Sequence, residues 1–560
     1  MTEPESADGN DLVVDALAAN AVSTIYGVVG IPVTDLARIA QARGIRYLGF
    51  RNEQAAGHAA AAAGYLTERP GICLTASAPG FLNGLVALAN ATADCFPMIQ
   101  ISGSSDRSAV DLGQGGYEEL DQLAAARPFA KTAFRVDSPE LIGVGVSRAI
   151  RAAVSGRPGG VYLDLPAHVL TGAAPRVSHP PVVDPAPQQI PAPDAVGRAL
   201  VLLEGAQRPL IVLGTGAAYA RADRVVRDFV EATRAPFVPM PMAKGLLPED
   251  HPQSAAAARS LALGSADVVV LIGAHLNWLL DHGWAPRWSP DARFVQLDIC
   301  AAEFDSTRPI AAPVLGDIGS STAALLAALR PDRIRPSRDW LDEIAATRRA
   351  NTAELEERLQ ADIHPMNFAV ALRAVRDVLD DRRDTVVVSE GANTLDNARN
   401  IVPTHHPRHR LDVGTWGVMG VGLGYAIAAA VETGHRVVAI EGDSAFGFSG
   451  MEIETICRYH LPVGVIVFNN GGVCRGDEVN THSEDPAPTV LLHSSRYDTL
   501  IEAFGGVGYH AETPEEVAGA LRSALTTAEP ALIDCVIDPA VGTESRHLQT
   551  PDRRAHEEEP

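Results

Sequence analysis

Along most of the chain, short apolar runs bounded by glycine, proline or aspartate alternate with longer stretches whose apolar positions recur every three or four residues. The runs STIYGVVG, IRYLGF, GICLTAS, FPMIQISG and GVYLDLP are apolar on both faces, the pattern of parallel strands buried between helix layers. The alternation returns in PLIVLGTGAAY, APFVPMP, ADVVVLIG and RFVQLDI, and again in TVVVSEG, RVVAIEGD, VGVIVFNN and ALIDCVI. Between the first two blocks, RVSHPPVVDPAPQQIPAP breaks every period with proline and predicts an extended linker. Residues 339–363 are polar with a helical period and predict a connecting helix. The pattern predicts an α/β protein of three consecutive doubly wound parallel-sheet domains, residues 1–183, 194–333 and 364–541, with a flexible tail at 542–560.

Composition narrows the partners. A formal net charge of −23 argues against nucleic acid or an anionic membrane as the main partner. The six cysteines (Cys73, Cys95, Cys300, Cys457, Cys474 and Cys535) are scattered without a C-x-x-C pair, which suits reduced thiols in the cytoplasm. The acidic start MTEPESADGND is unlike a signal peptide, and no apolar run approaches the roughly 20 residues of a membrane span. The expectation is a cytoplasmic protein.

The segment 442–470, GDSAFGFSGMEIETICRYHLPVGVIVFNN, carries the candidate chemistry. One apolar strand runs into Asp443 and another into Asn469-Asn470, with a helical pattern from about Ser449 between them. Such a βαβ crossover makes the strands parallel, so Asp443 and Asn470 leave the sheet at the same edge, where open α/β sheets bind ligands. A carboxylate, an amide oxygen and a backbone carbonyl form a hard, oxygen-only half-shell suited to Mg²⁺ and a diphosphate.

G-D-S followed by N-N at this spacing resembles the signature of thiamine-diphosphate (ThDP) enzymes. That resemblance implies ThDP and Mg²⁺ as cofactors. It assigns Gly442, Asp443 and Ser444 to the diphosphate and Asp443, Asn470 and Gly472 to the metal. It also implies a glutamate that promotes the imino tautomer of the aminopyrimidine; GIRYLGFRNEQAAGHAAAAAGYL nominates Glu53, which on its own reads as a dipole-favoured helix cap. In GTWGVMGVGLGYAIAAA, the resemblance makes Met419 an apolar wedge under a bent cofactor and gives the Gly417 carbonyl to its exocyclic amine; alone, Met419 reads as core filler. In this family the two halves of the site come from different chains, which implies at least a homodimer and by family habit a homotetramer.

Longer stretches, among them YGVVGIPVTDLA, SAPGFLNGLVALANA, GGYEELDQL, EGANTLDNARN and LDVGTWGVMG, resemble the oxalyl-CoA decarboxylase and 2-hydroxyacyl-CoA lyase branch, with GANTLDNARN and GGYEELDQ leaning to the decarboxylase. The branch implies a CoA thioester substrate, with Tyr117, Glu118, Cys474 and Ser545 beside the reacting atoms, although Y-E-E-L-D alone reads as an ordinary helix start. Residues 396–412, basic and histidine-rich, nominate Arg399, with Arg408 and Arg410 behind it, for CoA phosphates; Asn393, Asn400, Arg259 and Ser260 join them. The tail's Arg546, Arg553 and Arg554 could close over the thioester with Ser545. The resemblance implies an ADP activator in the central domain, with Arg157 and Asp298 as contacts, but Thr215 stands where it implies a lysine. It also implies a tyrosine where this chain has Cys474; the smaller thiol widens the pocket and keeps the lyase as the alternative activity.

Overall fold

The computed structural model describes residues 6–176, 181–492 and 494–543. In the first block lie β1 (Ser6–Asp8), β2 (Thr24–Val28), β3 (Arg46–Gly49), β4 (Gly71–Thr75), β5 (Met98–Ser104), β6 (Thr132–Arg135), β7 (Gly160–Pro166) and β8 (Ala173–Pro175). β1 and β8 form a small antiparallel pair; the other six make one parallel sheet in the order β3-β2-β4-β5-β7-β6. The middle block contributes β9 (Pro209–Leu213), β10 (Phe237–Pro239), β11 (Val268–Ile272), β12 (Arg293–Asp298) and β13 (Ala312–Leu315), ordered β10-β9-β11-β12-β13. The third carries β14 (Val386–Ser389), β15 (Arg410–Asp412), β16 (Val437–Gly442), β17 (Val463–Asn469), β18 (Val507–Ala511) and β19 (Ala531–Val536), ordered β15-β14-β16-β17-β19-β18. Helices flank all three sheets, so the fold is α/β with parallel sheets, as the apolar runs predict.

In the third sheet the chain goes from β14 outward to β15, then back across β14 to β16. The crevice between the ends of β14 and β16 is therefore a switch point, the place where such sheets receive ligands. Two small-residue helices join this sheet to the first. Glu53–Thr67 is capped by Asn52, whose side chain accepts the Gln54 N–H, and is buried along almost its whole length against Gly422–Thr433. A Cβ at Gly424 would stand 2.6 Å from the Ala55 carbonyl, so the helices meet backbone to backbone and only glycine fits there.

The polar connecting helix spans Arg338–Leu359, and residues 181–192 have no regular element. The basic segment after residue 392 differs from a solvated loop: it is a helix, Ala392–Ile401, followed by the edge strand β15. No helix among the described residues is long and apolar enough to cross a membrane.

Candidate active site

β16 and β17 are parallel, with Gly442 opposite Phe468, so Asp443 and Asn470 do emerge at one edge. The crossover helix starts earlier than its pattern predicts: a turn of helix runs Asp443–Ser449, and a second helix runs Glu452–Arg458. Asp443 is buried; its Oδ1 accepts the Ser444 N–H at 2.7 Å and its Oδ2 the Gly471 N–H at 2.8 Å. Burial pushes this carboxyl up to about 6, opposed only by backbone N–H groups of residues 444 and 470–472, with no cation among its neighbours.

Asn470 spends both amide hydrogens, on the Cys474 carbonyl at 2.8 Å and the Val541 carbonyl at 3.0 Å, which turns its oxygen to the opposite side. Asn469 faces into the protein, donating to Asp534 Oδ1 and the Ser495 carbonyl, both at 3.0 Å. The two amides thus divide the work: one pins the loop, the other presents an oxygen. Gly472 is buried and bridged to Val490. An oxygen-only set around a buried carboxylate that has no cation partner fits Mg²⁺.

Glu53 is the first residue of its helix, and its Oε2 accepts from Asn83 Nδ2 at 3.0 Å. The residues before it are held from the third block. Glu452 Oε1 accepts the N–H groups of Arg51 and Asn52 at 3.1 and 3.0 Å, and its Oε2 takes the Thr455 hydroxyl at 2.6 Å. Glu118 approaches the same region from another side: its carboxylate meets the Ser77 hydroxyl, while a Cβ at Gly80 would lie 3.3 Å from Glu53 Oε1. Tyr117 and Glu118 begin no helix. They sit in a loop fixed by Ser105, whose hydroxyl meets both their carbonyls, with Tyr117 72% exposed and Glu118 at φ 53°.

The turn carrying Gly417 and Met419 has three left-handed glycines, Gly414, Gly417 and Gly420. Its ends are fastened and its middle is open. Asp94 Oδ1 accepts the Thr415 N–H and hydroxyl at 2.9 and 3.1 Å, and the Trp278 indole donates to the Thr415 carbonyl at 2.7 Å. Gln54 Nε2 donates to the Met419 carbonyl at 3.0 Å. Glu390 accepts the N–H groups of Gly420 and Gly422. Gly417 is exposed with free space around it, and Met419 is half-buried against the core.

The residues nominated for CoA phosphates are largely committed elsewhere. Arg410 is wholly buried in β15 and donates to the Val402 carbonyl, and Arg408 makes a bidentate pair with Asp223 at 2.7 and 2.8 Å; neither is open to a ligand, which corrects that expectation. Arg399 pairs with Asp412 at 3.1 Å, and Arg259 donates to the Leu279 carbonyl at 3.0 Å. Asn400 bonds the Asp396 carbonyl within its own helix, and Ser260 is exposed. Asn393 exchanges hydrogen bonds with the Thr543 backbone at 3.0 and 3.2 Å. Residues 541–543 therefore run from Asn470 to Asn393 across the mouth of the site, and Gly542 lies against the Cys474 carbonyl. Ser545, Arg546, Arg553 and Arg554 lie outside the described residues.

Arg157 and Asp298 line a cavity of about 1140 Å³ between the first and middle sheets, beside Gly214, Thr215 and Gly273. Arg157 is engaged there with Glu303 and with Cys95 Sγ, and Asp298 accepts the Cys300 N–H at 2.9 Å.

Sequence reasoning missed Glu452, Glu390, Asp94, Asn83 and Trp278. Only Glu390 left a signal, an acid at the end of the apolar run TVVVS just as Asp443 ends RVVAIEG.

A switch-point crevice edged by an aspartate and an amide oxygen, with a helix-initial glutamate and a glycine turn nearby, defines a thiamine pyrophosphate enzyme. Family models agree: "Thiamine pyrophosphate enzyme, N-terminal TPP binding domain" matches residues 7–125, the central domain 196–326 and the C-terminal TPP binding domain 391–535. The chain belongs to that family, with thiamine diphosphate as its cofactor. It is 57% identical over 549 residues to an oxalyl-CoA decarboxylase of Escherichia coli (strain K12), covering 97% of each chain. It is 46% identical over 566 residues to a 2-hydroxyacyl-CoA lyase of Arabidopsis thaliana (98% of each) and 42% over 560 residues to 2-hydroxyacyl-CoA lyase 1 of Homo sapiens (96% of this chain, 95% of that one).

Proposed function

We infer that this chain is an oxalyl-CoA decarboxylase, converting oxalyl-CoA to formyl-CoA and CO₂ with ThDP and Mg²⁺. The observation that carries the reading is the similarity to the decarboxylase along nearly the whole chain, together with a site whose oxygen donors suit a metal-bound diphosphate. When bound, ThDP supplies the carbon nucleophile and the electron sink for the departing CO₂.

The chain's own residues do the rest. Asp443, Asn470 and Gly472 would hold the metal, and Gly442 and Ser444 would face the diphosphate. Glu53, steadied by Asn83 and by the grip of Glu452 on Asn52, holds a proton at the pyrimidine ring. The Gly417 carbonyl and Met419 would hold the cofactor, the first as an acceptor and the second as an apolar support. Glu118 and Tyr117 would deliver a proton to the carbon that CO₂ leaves, and the segment 541–543 lies between Asn470 and Asn393; Ser545 would act beside the thioester, where water must be excluded. Arg259, Ser260, Arg399, Asn393 and Asn400 line the approach for CoA; Arg399 must exchange Asp412 for phosphate, and Asn393 must release Thr543.

The working form is at least a homodimer and by family habit a tetramer: Phe448, 64% exposed although it packs beside Gly420, is an apolar side chain that a second copy would cover. The cytoplasm suits its six cysteines, none of which forms a disulfide. ADP as an activator would occupy the cavity at Arg157 and Asp298, displacing Glu303 from Arg157.

The second reading, a 2-hydroxyacyl-CoA lyase, rests on Cys474, a small half-buried side chain beside the Asn470 loop. Product analysis with oxalyl-CoA, ThDP and Mg²⁺ decides between them. Formyl-CoA and CO₂ are expected; no turnover, with condensation of formyl-CoA and an aldehyde instead, would replace the decarboxylase by the lyase.

A further inference from the structure

The turn 414–422 could be a loosely hung loop, since three of its residues are left-handed glycines and its middle touches little. Instead each end is seized by an enclosed carboxylate. At the start, Asp94, which follows the helix Pro79–Ala93, takes both the N–H and the hydroxyl of Thr415 on one oxygen; its other oxygen is buried and has no hydrogen-bond partner. The approach is so close that a Cβ on Gly414 would stand 2.3 Å from this carboxylate. At the end, Glu390 is fully buried at the tip of β14, with one oxygen on the Gly420 N–H and the other on the Gly422 N–H at 2.5 Å. Glu441 closes off the remaining space: a Cβ on Gly422 would meet its carboxyl at 2.0 Å and that of Glu390 at 2.8 Å.

Burying carboxyls without a cation is costly, and a fold that needed only a filled core would use apolar residues here. What a carboxylate adds is acceptors at fixed positions: Glu390 sets where the N–H groups of Gly420 and Gly422 point, and Asp94 does the same for Thr415. We propose that Glu390 and Asp94 are the positioning residues of the cofactor wedge: they clamp the two ends of the turn so that the Gly417 carbonyl and Met419 present one geometry to ThDP. The inference rests on the reading of the chain as a ThDP enzyme and assigns it two residues whose hydrogen bonds go to the turn itself.

Trp416, exposed within the turn, is a built-in reporter. The test uses the full-length protein and compares wild type with Glu390→Gln, Asp94→Ala and Asp94→Asn. Each is measured for ThDP affinity by titration, for acrylamide quenching of Trp416 (subtracting a Trp416→Phe background), and for KM and kcat with oxalyl-CoA. Glutamine at 390 offers one acceptor where two are used, so it should weaken ThDP binding about 10- to 100-fold, the worth of a hydrogen bond to a charged group, and make Trp416 more quenchable, with KM for the thioester unchanged. Asp94→Ala should behave likewise, and Asp94→Asn, which keeps the accepting oxygen, should recover most of the loss. Unchanged ThDP affinity and Trp416 quenching in Glu390→Gln and Asp94→Ala, with only a lower melting temperature, would make both residues structural and overturn the proposal. Equal losses in Asp94→Asn and Asp94→Ala would overturn the acceptor role of Asp94. Failure of the wild type to bind ThDP would be seen in the same titration and would remove the family reading along with the proposal.

Discussion

In Glu452→Gln the shape of the side chain is kept while its charge is removed. Glu452 is 1% exposed, and burial pushes its carboxyl up to about 7 from the ordinary 4.5. The folded chain therefore holds this proton more tightly than the unfolded chain does. Its contribution to stability is fully present below pH 4.5 and is lost as pH rises through about 7. At roughly 1.36 kcal/mol per pH unit, the difference amounts to about 3 kcal/mol. Glutamine avoids that loss, because its oxygen can keep the Arg51 and Asn52 N–H groups and its amide can donate to Thr455.

Calorimetry of the apoprotein at pH 5 and pH 8 reads the effect. The variant should match wild type at the lower pH and exceed it at the higher. With an unfolding entropy of about 2.1 cal/mol/K per residue, a 560-residue chain melting as one unit gains about 3 °C. The same gap at both values, or a wild type that is the more stable at pH 8, would refute the assignment of a buried, proton-holding carboxyl. Glu452→Ala separates geometry from charge. It frees the residues before Glu53, and misplacing that group should lower turnover by up to about 100-fold, beyond any loss of stability.

Other outcomes follow from the same geometry. Glu53→Gln should lower kcat by about 10²- to 10⁴-fold, the range of a general acid–base group, while ThDP affinity measured by titration stays within a few-fold. Asp443→Asn should abolish the rise in melting temperature that Mg²⁺ and ThDP give the wild type, a stabilisation of about 2.7 kcal/mol at a hundredfold excess over Kd. Cys474→Tyr should narrow the pocket and raise the ratio of oxalyl-CoA turnover to aldehyde condensation, read as the two rates on one preparation.

The α/β class and the convergence of Asp443 with Asn470 were legible because both rest on rules that act locally. Parallel strands covered by helices on both faces must be apolar on both, and a parallel crossover leaves its two strand ends at one edge. Basic residues near β15 misled for a complementary reason. A three-residue edge strand flanked by His-Pro-Arg-His has the composition of a solvated loop, and only the sheet shows that Arg410 points into the protein while Arg408 bridges to Asp223. The crossover helix was placed late because Gly447 and Gly450 obscure its period, although Asp443 already begins a turn.

The carboxylates that hold the site were invisible for a deeper reason. Glu452 and Asp94 take N–H groups from residues about 400 and 321 positions away, and a backbone N–H carries no side-chain identity for a sequence to display. The consequence reaches the chemistry. Asp94, Glu452 and Asp443 are each raised above their ordinary values because burial outweighs the N–H and hydroxyl groups that oppose it; Arg458 acts on Glu452 only through its charge, and no arginine or lysine bonds any of the three. Of these, only Asp443 stands at the ligand edge with an amide oxygen beside it. A divalent cation arriving there would compensate one buried charge that the fold leaves uncompensated. Metal and diphosphate should therefore stabilise the protein most above pH 6, where Asp443 is ionised, and least near pH 5, where the apoprotein already neutralises that carboxyl with a proton.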